Sequence, residues 1–139
     1  MTGVAQGLFA ASAGIILLLG CIHLLYTFRG NRLHPRDPAL MAAMQTESPV
    51  LTRKTTMWRA WVGFNASHSY GAMLFGLVYG YLTLFHIAMF AASTFLLVLG
   101  MVLLVAYSVL GRLYWFSVPY RSILLSMVLY AAGLVLIHV

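Results

Sequence analysis

Long apolar stretches alternate with short polar connections along this chain of 139 residues. A first apolar stretch ends at Arg29, and a second, unbroken one runs from Trp61 to Leu110. A single helix through the second stretch would be about 75 Å long, whereas the hydrocarbon core of a bilayer is about 30 Å thick. That stretch must fold back on itself, and Thr83 and His86 interrupt it where a turn is expected. The pattern predicts four transmembrane helices, over residues 4–28, 58–82, 87–110 and 119–138.

The polar connection over residues 29–57 is patterned as more than a linker. Asp37 followed by Pro38 is typical of a helix start, with the carboxylate as N-cap and the proline in the first turn. Apolar side chains at helical spacing follow, and Pro49 ends the segment; they are Leu40, Met41 and Met44. We expect a short amphipathic helix on the inner membrane surface, the alternative being a solvated loop with one helical turn.

The composition indicates that lipid surrounds most of the chain. Hydrophobic residues make up 63% and charged residues 7%, with a mean hydropathy of +0.95. Soluble domains carry about 25% charged residues, so this chain has too few to cover a water-facing surface. The length suits one domain. We therefore predict an all-α fold, a single four-helix transmembrane bundle in the cell (inner) membrane.

The basic residues indicate how the bundle is oriented. The formal net charge is +6, and all Lys and Arg flank the first or the third connection between the predicted helices. Because positive residues stay in the cytoplasm, both basic connections are expected there and both termini outside. Charges so placed meet anionic lipid headgroups, so nucleic acid is not an expected partner. The residues are Arg29, Arg32, Arg36, Arg53, Lys54, Arg59, Arg112 and Arg121.

Small residues recur every four positions in the second predicted span. Such spacing lets a neighbouring helix approach closely, which drives association in lipid. The alternative is a flexible hinge. We therefore predict helix packing, within the bundle or against a partner, at Gly63, Ser67, Gly71, Gly76 and Gly80.

Polar side chains in the spans predict a buried layer. Asn65 and His68 share one face of the second span with Trp58 and Trp61, and both are costly in hydrocarbon without partners. At 1.5 Å per residue, one or two polar groups in each span lie about 8–13 Å from the basic residue at its cytoplasmic end. We infer a ligand- or cofactor-binding layer, or a purely structural hydrogen-bonded one, formed by His23, Asn65, His68, Tyr107 and Ser126.

The segment Met57-Trp58-Arg59-Ala60-Trp61-Val62-Gly63-Phe64-Asn65-Ala66-Ser67-His68-Ser69 also carries a resemblance. Together with Gly20-x-x-His23 and Arg36-Asp37-Pro38-Ala39-Leu40, it resembles a family of small bacterial four-helix membrane proteins of unknown function. The likeness covers about the first two-thirds of the chain, judged against the helix periodicity. It implies the same topology and implies no mechanism.

Two functions follow from these patterns. The small-residue repeats favour an accessory or packing subunit of a membrane assembly, in contact with the lipid bilayer and with itself or another membrane protein. The polar layer favours a binding protein for a small apolar ligand or cofactor such as a quinone or lipid, or less readily a b-type haem.

Other classes lack the residues that they need. Both acids, Asp37 and Glu47, lie in the first connection, so no span offers a carboxylate to carry a cation or proton. The single cysteine, Cys21, excludes an intrachain disulfide and a CxxC pair. Ser67 and Ser69 diverge from His68 on a helix, so they form no nucleophile–base pair. The sequence therefore indicates no metal site, identifies no cofactor and argues against an enzyme.

Overall fold

The computed structural model of the chain describes residues 2–137 and contains six helices in that range, with no strand among them. His138, the predicted end of the last span, lies outside the described residues. The chain is therefore all-helical, as predicted. The helices are α1 (Thr2–Phe28), α2 (Pro38–Thr46), α3 (Met57–Phe85), α4 (Ile87–Ala92), α5 (Thr94–Tyr114) and α6 (Ser117–Ile137).

Three of these helices are long and apolar enough to cross a membrane, namely Gly3–Phe28 in α1, Thr94–Tyr114 and Ser117–Ile137. This property indicates a membrane protein. Helix α3 has 29 residues, which correspond to about 43 Å, so its length would also suffice. Its first half contains Arg59, Asn65 and His68, and these residues lower its mean hydropathy below that of the other three.

Local signals account for several helix ends. Asp37 caps α2, because its carboxylate accepts a hydrogen bond from the Ala39 N–H at 2.9 Å. Helix α1 ends two residues before Gly30, whose φ of 79° is the left-handed conformation that glycine adopts most easily. Thr56 receives the Arg59 N–H on its hydroxyl at 3.3 Å and so caps the start of α3.

The turn after α3 differs from the predicted boundaries. The sequence predicts one span over residues 87–110, whereas the structure places a short α4 first and begins α5 at Thr94. Ser93 separates the two helices, because its hydroxyl accepts the Leu96 N–H while its own N–H donates to the Phe90 carbonyl. The apolar run continues across this break, so hydropathy alone does not reveal it. Helix α5 then extends to Tyr114, past the predicted end.

The chain forms two compact units. The first comprises the residues up to Leu19 and those from Ala72 onward. Its core is aromatic: Phe9 contacts Phe90 and Tyr130 edge to face, with ring centroids 5.1 and 4.9 Å apart, and Tyr79 stacks on Phe75 at 4.4 Å. Helices α5 and α6 pack against each other, and α6 contacts α1 through Phe9.

The second unit, Gly20–Gly71, contains the end of α1, all of α2 and the start of α3. The segment after α1 is anchored to α3 by the Trp61 indole N–H, which donates to the Leu33 carbonyl at 3.1 Å. The His34 ring lies edge to face on Trp58, with centroids 4.7 Å apart. This unit positions the polar side chains described next.

Candidate functional site

A hydrogen-bonded cluster joins the end of α1 to the start of α3 within the second unit. His23 Nε2 and Asn65 Oδ1 are 2.9 Å apart, and Asn65 Nδ2 donates to the Trp61 carbonyl at 2.8 Å. Because the amide nitrogen already donates to that carbonyl, the amide oxygen is the acceptor and His23 Nε2 carries the hydrogen. Asn65 therefore uses both its amide nitrogen and its amide oxygen in hydrogen bonds, and His23 Nε2 is the donor to that oxygen.

His68 completes the cluster. Its ring lies edge to face against that of His23, with centroids 5.3 Å apart and planes at 87°, and both rings are half-buried. A haem with two axial histidines needs its porphyrin plane between two imidazoles. Here the rings touch and His23 Nε2 is engaged by Asn65, so no porphyrin can lie between them.

Nearby hydroxyls bond to their own helices. Thr27 donates to the His23 carbonyl at 2.8 Å, and Ser69 donates to the Asn65 carbonyl at 2.9 Å. Each partner is four residues earlier in the same helix, a common way to satisfy a hydroxyl in an apolar setting. Since each hydroxyl hydrogen is used on a backbone carbonyl, a histidine does not activate Thr27 or Ser69 as a nucleophile in this arrangement.

The remaining two residues of the predicted layer belong to the first unit and have other neighbours there. Ser126 donates to the Ser12 carbonyl at 3.0 Å, and the two serine hydroxyls are 2.8 Å apart. Since the hydrogen of Ser126 is used on the carbonyl, Ser12 must donate to the Ser126 hydroxyl oxygen. Both serines are fully buried. Tyr107 lies near Trp115, with ring centroids 6.3 Å apart.

The structure therefore brings His23, Asn65 and His68 together and pairs Ser126 with Ser12, a residue that the sequence analysis missed. The available signal was that Ser12 is a polar residue within an apolar stretch, eleven positions before His23. A ligand-binding role for the five predicted residues stays a prediction.

The predicted packing residues divide into two groups. A methyl group added to Gly76 would lie 2.8 Å from the backbone of Leu17 in α1, and one added to Gly80 would lie 3.8 Å from the Ala13 side chain. By contrast, Gly63, Ser67 and Gly71 are exposed. At Gly63 an added methyl group would meet no described atom within 4 Å. The ridge of Gly76 and Gly80, the inner ridge, packs within the chain. The ridge of Gly63, Ser67 and Gly71, the outer ridge, is uncovered.

A further close approach involves two tyrosines that the sequence analysis did not single out. Tyr79 donates to the Leu96 carbonyl at 3.0 Å, and Tyr130 donates to the Leu97 carbonyl at 3.1 Å. The Tyr130 hydroxyl lies where a side chain at Gly100 would be, so only glycine fits that position. These bonds satisfy two buried phenols and lock α3 and α6 onto α5 in the first unit.

One cavity of about 460 Å³ lies at the loop between α2 and α3, where Glu47 and Arg53 line it, away from the His–Asn–His cluster. An apolar groove of about 450 Å³ runs along α5 and α6 in the first unit, with Leu97, Met101 and Leu134 on its walls and Thr94 as its one polar side chain. None of the five predicted binding residues lines it. Over residues 2–137, no group of three or more His, Cys, Asp or Glu side chains could hold a metal ion.

The site thus consists of a half-buried His–Asn–His cluster and an uncovered ridge of small residues on α3. Comparisons of the chain with protein-family models, with curated proteins and with solved structures find no match.

Proposed function

We propose that this chain is a four-helix transmembrane bundle that acts as an accessory subunit of a membrane assembly. The observation that supports this role is that Gly63, Ser67 and Gly71 form an exposed ridge on α3. The resemblance to small bacterial four-helix membrane proteins supports the same architecture and adds nothing about activity.

Helix α3 is the fourth crossing in this proposal. Two of the residues that lower its hydropathy turn inward: Asn65 and His68 are half-buried, and Ser69 on the same side is buried, whereas Arg59 is exposed near the start of the helix. The opposite face presents Phe64, Tyr70 and Leu74, which are exposed and suited to lipid. Ser67 is a polar residue on this exposed face, and its hydroxyl donates to the Phe64 carbonyl at 2.9 Å. A helix with its polar groups paired inward and an apolar outer face is stable in a bilayer.

The orientation follows from the charges. With four crossings, the two connections that carry Lys and Arg lie on the same side, and the positive-inside rule assigns that side to the cytoplasm. Both termini are then extracytoplasmic, and the chain is a multi-pass protein of the cell (inner) membrane.

An accessory role follows from the uncovered ridge. Lipid tails fill the surface of a flat small-residue ridge poorly, whereas a second helix packs closely on it. The inner ridge of α3 is already occupied, since Gly76 lies against the backbone of Leu17. The outer ridge has no such neighbour, so a partner helix can pack on it.

The ligand-binding alternative has weaker support. His23 and Asn65 hydrogen bond to each other, and His68 packs on His23, so the polar atoms of Asn65 and Nε2 of His23 are already engaged within the cluster. The apolar groove lies in the other unit and is lined by none of these residues. We assign the cluster a structural role, in which it clamps α1 to α3.

The test is to place a large side chain on the outer ridge. Gly63→Leu and Gly71→Leu are expected to convert the native assembly to monomers, as measured by cross-linking in membranes and by the mass of the protein in mild detergent. Ala106→Leu is the matched control, because Ala106 is an exposed small residue of α5 with Val102 and Leu110 four positions away.

A second exposed run of small residues, Gly3, Gly7 and Ala11 on α1, is tested in the same assay by Gly7→Leu. A wild-type chain that is monomeric in native membranes would refute the accessory role.

A further inference from the structure

The loop between α2 and α3 has an unusual apolar tip. The Thr52 N–H donates to the Pro49 carbonyl at 3.1 Å, so residues 49–52 form a turn with Val50 and Leu51 at its two central positions. Central turn positions normally carry Gly, Asn, Asp or Ser. Here both positions carry branched apolar side chains, which are fully exposed at 109% and 94% relative exposure.

The loop is closed and ordered at its base. The Met57 N–H donates to the Glu47 carbonyl at 2.8 Å, which joins the two ends of the segment. On the rising side, the Lys54 N–H donates to the Thr52 hydroxyl at 3.2 Å. These hydrogen bonds give the tip a defined backbone conformation.

Cations stand directly beside the tip. Arg53 and Lys54 follow it within three residues, and both are exposed. The second unit as a whole contains six Lys and Arg residues and two acids, a net charge of +4. In the described part of this unit the Asp37 carboxylate is used as a helix cap, and no ion pair neutralises Arg53 or Lys54.

We propose that the Glu47–Met57 loop inserts into an anionic lipid surface, with Val50 and Leu51 among the acyl-chain ends and Arg53 and Lys54 on the headgroup phosphates. The loop belongs to the connection that follows α1, and the apolar part of α1 ends at Phe28, where this connection leaves the membrane. An apolar tip with adjacent cations is complementary to a negatively charged interface and to few other surfaces.

This inference requires the chain to be embedded in a membrane but does not depend on the accessory role. A monomeric protein would insert the loop equally well, so the two proposals fail separately. Removing both cations lowers the ratio of inserted to water-exposed loop by about fivefold for each charge.

The experiment attaches an environment-sensitive fluorophore to Val50→Cys in a Cys21→Ser background, since Cys21 is the one cysteine of the chain. The labelled protein is reconstituted in phosphatidylcholine and in an equimolar mixture of phosphatidylcholine and phosphatidylglycerol. We expect blue-shifted emission and quenching by nitroxide lipids in the anionic vesicles, and loss of both in the Arg53→Gln/Lys54→Gln variant. Unchanged helical circular dichroism shows that the variant is folded.

Three outcomes would overturn the proposal. A label quenched by aqueous iodide in both lipids shows that the tip stays in water. Equal nitroxide quenching in both lipids, with or without Arg53 and Lys54, shows that anionic headgroups are not recognised. A label shielded from iodide and also from nitroxide lipids shows that protein, and not lipid, covers the tip.

Discussion

The two halves of α3 carry the same small-residue spacing and use it in opposite ways. In the second half, Gly76 lies against the backbone of α1, and Gly80 faces Ala13. In the first half, Gly63, Ser67 and Gly71 are exposed. Thirteen residues separate Gly63 from Gly76, a rotation that places them about 140° apart around the helix. Spacing thus identifies a ridge, while its angular position decides whether the ridge packs inside the chain or faces outward.

The polar cluster explains which ridge turns inward. Asn65 and Gly76 are eleven residues apart and lie within about 20° of each other on the helix. Since Asn65 must avoid lipid and bonds to His23, the face that carries Gly76 faces the interior as well. Gly63, Ser67 and Gly71 lie on the other side of the helix and therefore face outward.

The largest loss of stability is expected from a substitution at Gly76, where α1 and α3 approach each other closely. Gly76→Ala places a methyl group 2.8 Å from the Leu17 backbone, so α1 and α3 must move apart. We expect a loss of about 1–3 kcal/mol in the free energy of unfolding. Thermal or denaturant unfolding in detergent, followed by circular dichroism, measures it.

Gly80→Ala is the matched control for this substitution. Its methyl group would make an ordinary 3.8 Å contact with Ala13, so we expect no loss and a gain of up to about 1 kcal/mol from helix propensity. Equal destabilisation by the two substitutions would contradict the distinction between the positions.

An intermediate loss of stability is expected from breaking the His23–Asn65 hydrogen bond that joins α1 to α3. Asn65→Leu removes the acceptor of the His23 N–H and leaves that group half-buried without its partner. We expect a loss of about 0.6–2 kcal/mol, the usual range for interhelical hydrogen bonds in membranes. Ser67→Ala, two residues away on the outer face, should change stability by less than about 0.5 kcal/mol in the same unfolding assay. If the two variants were equally stable, the cluster would not hold the helices together.

The smallest loss of stability is expected on the outer ridge. Gly63→Leu adds a side chain where no described atom lies within 4 Å, so the unfolding free energy of the monomer should not fall and should rise by up to about 1 kcal/mol from helix propensity. The same variant is expected to lose its assembly, which separates association from folding. A marked loss of monomer stability would show that this face is packed within the chain.

Much of this architecture could be predicted from the sequence, because it depends on local chemistry. The cap at Asp37 and the apolar stretches of α1 and α6 are readable from residue order alone. The contact between His23 and Asn65 follows from two polar residues that each need a partner in an apolar setting. Combining the polar face with the small-residue spacing would also have told the two ridges apart.

Other features depend on packing that residue order does not express. Ser93 ends one helix and caps the next inside an apolar run, where hydropathy shows no break. The pairing of Ser12 with Ser126 and the fit of Tyr130 over Gly100 join residues that are distant in sequence. Such pairs are decided by which helices become neighbours, so they could not be assigned from the sequence.

Cysteine accessibility tests whether α3 crosses the membrane. In a Cys21→Ser background, Gln45→Cys lies before α3 and Ala88→Cys lies after it, and both positions are exposed. A membrane-impermeant maleimide applied to intact spheroplasts should label Ala88→Cys at once and Gln45→Cys only after permeabilisation. Labelling of both positions from the same side would show that α3 does not cross, and the account would be wrong.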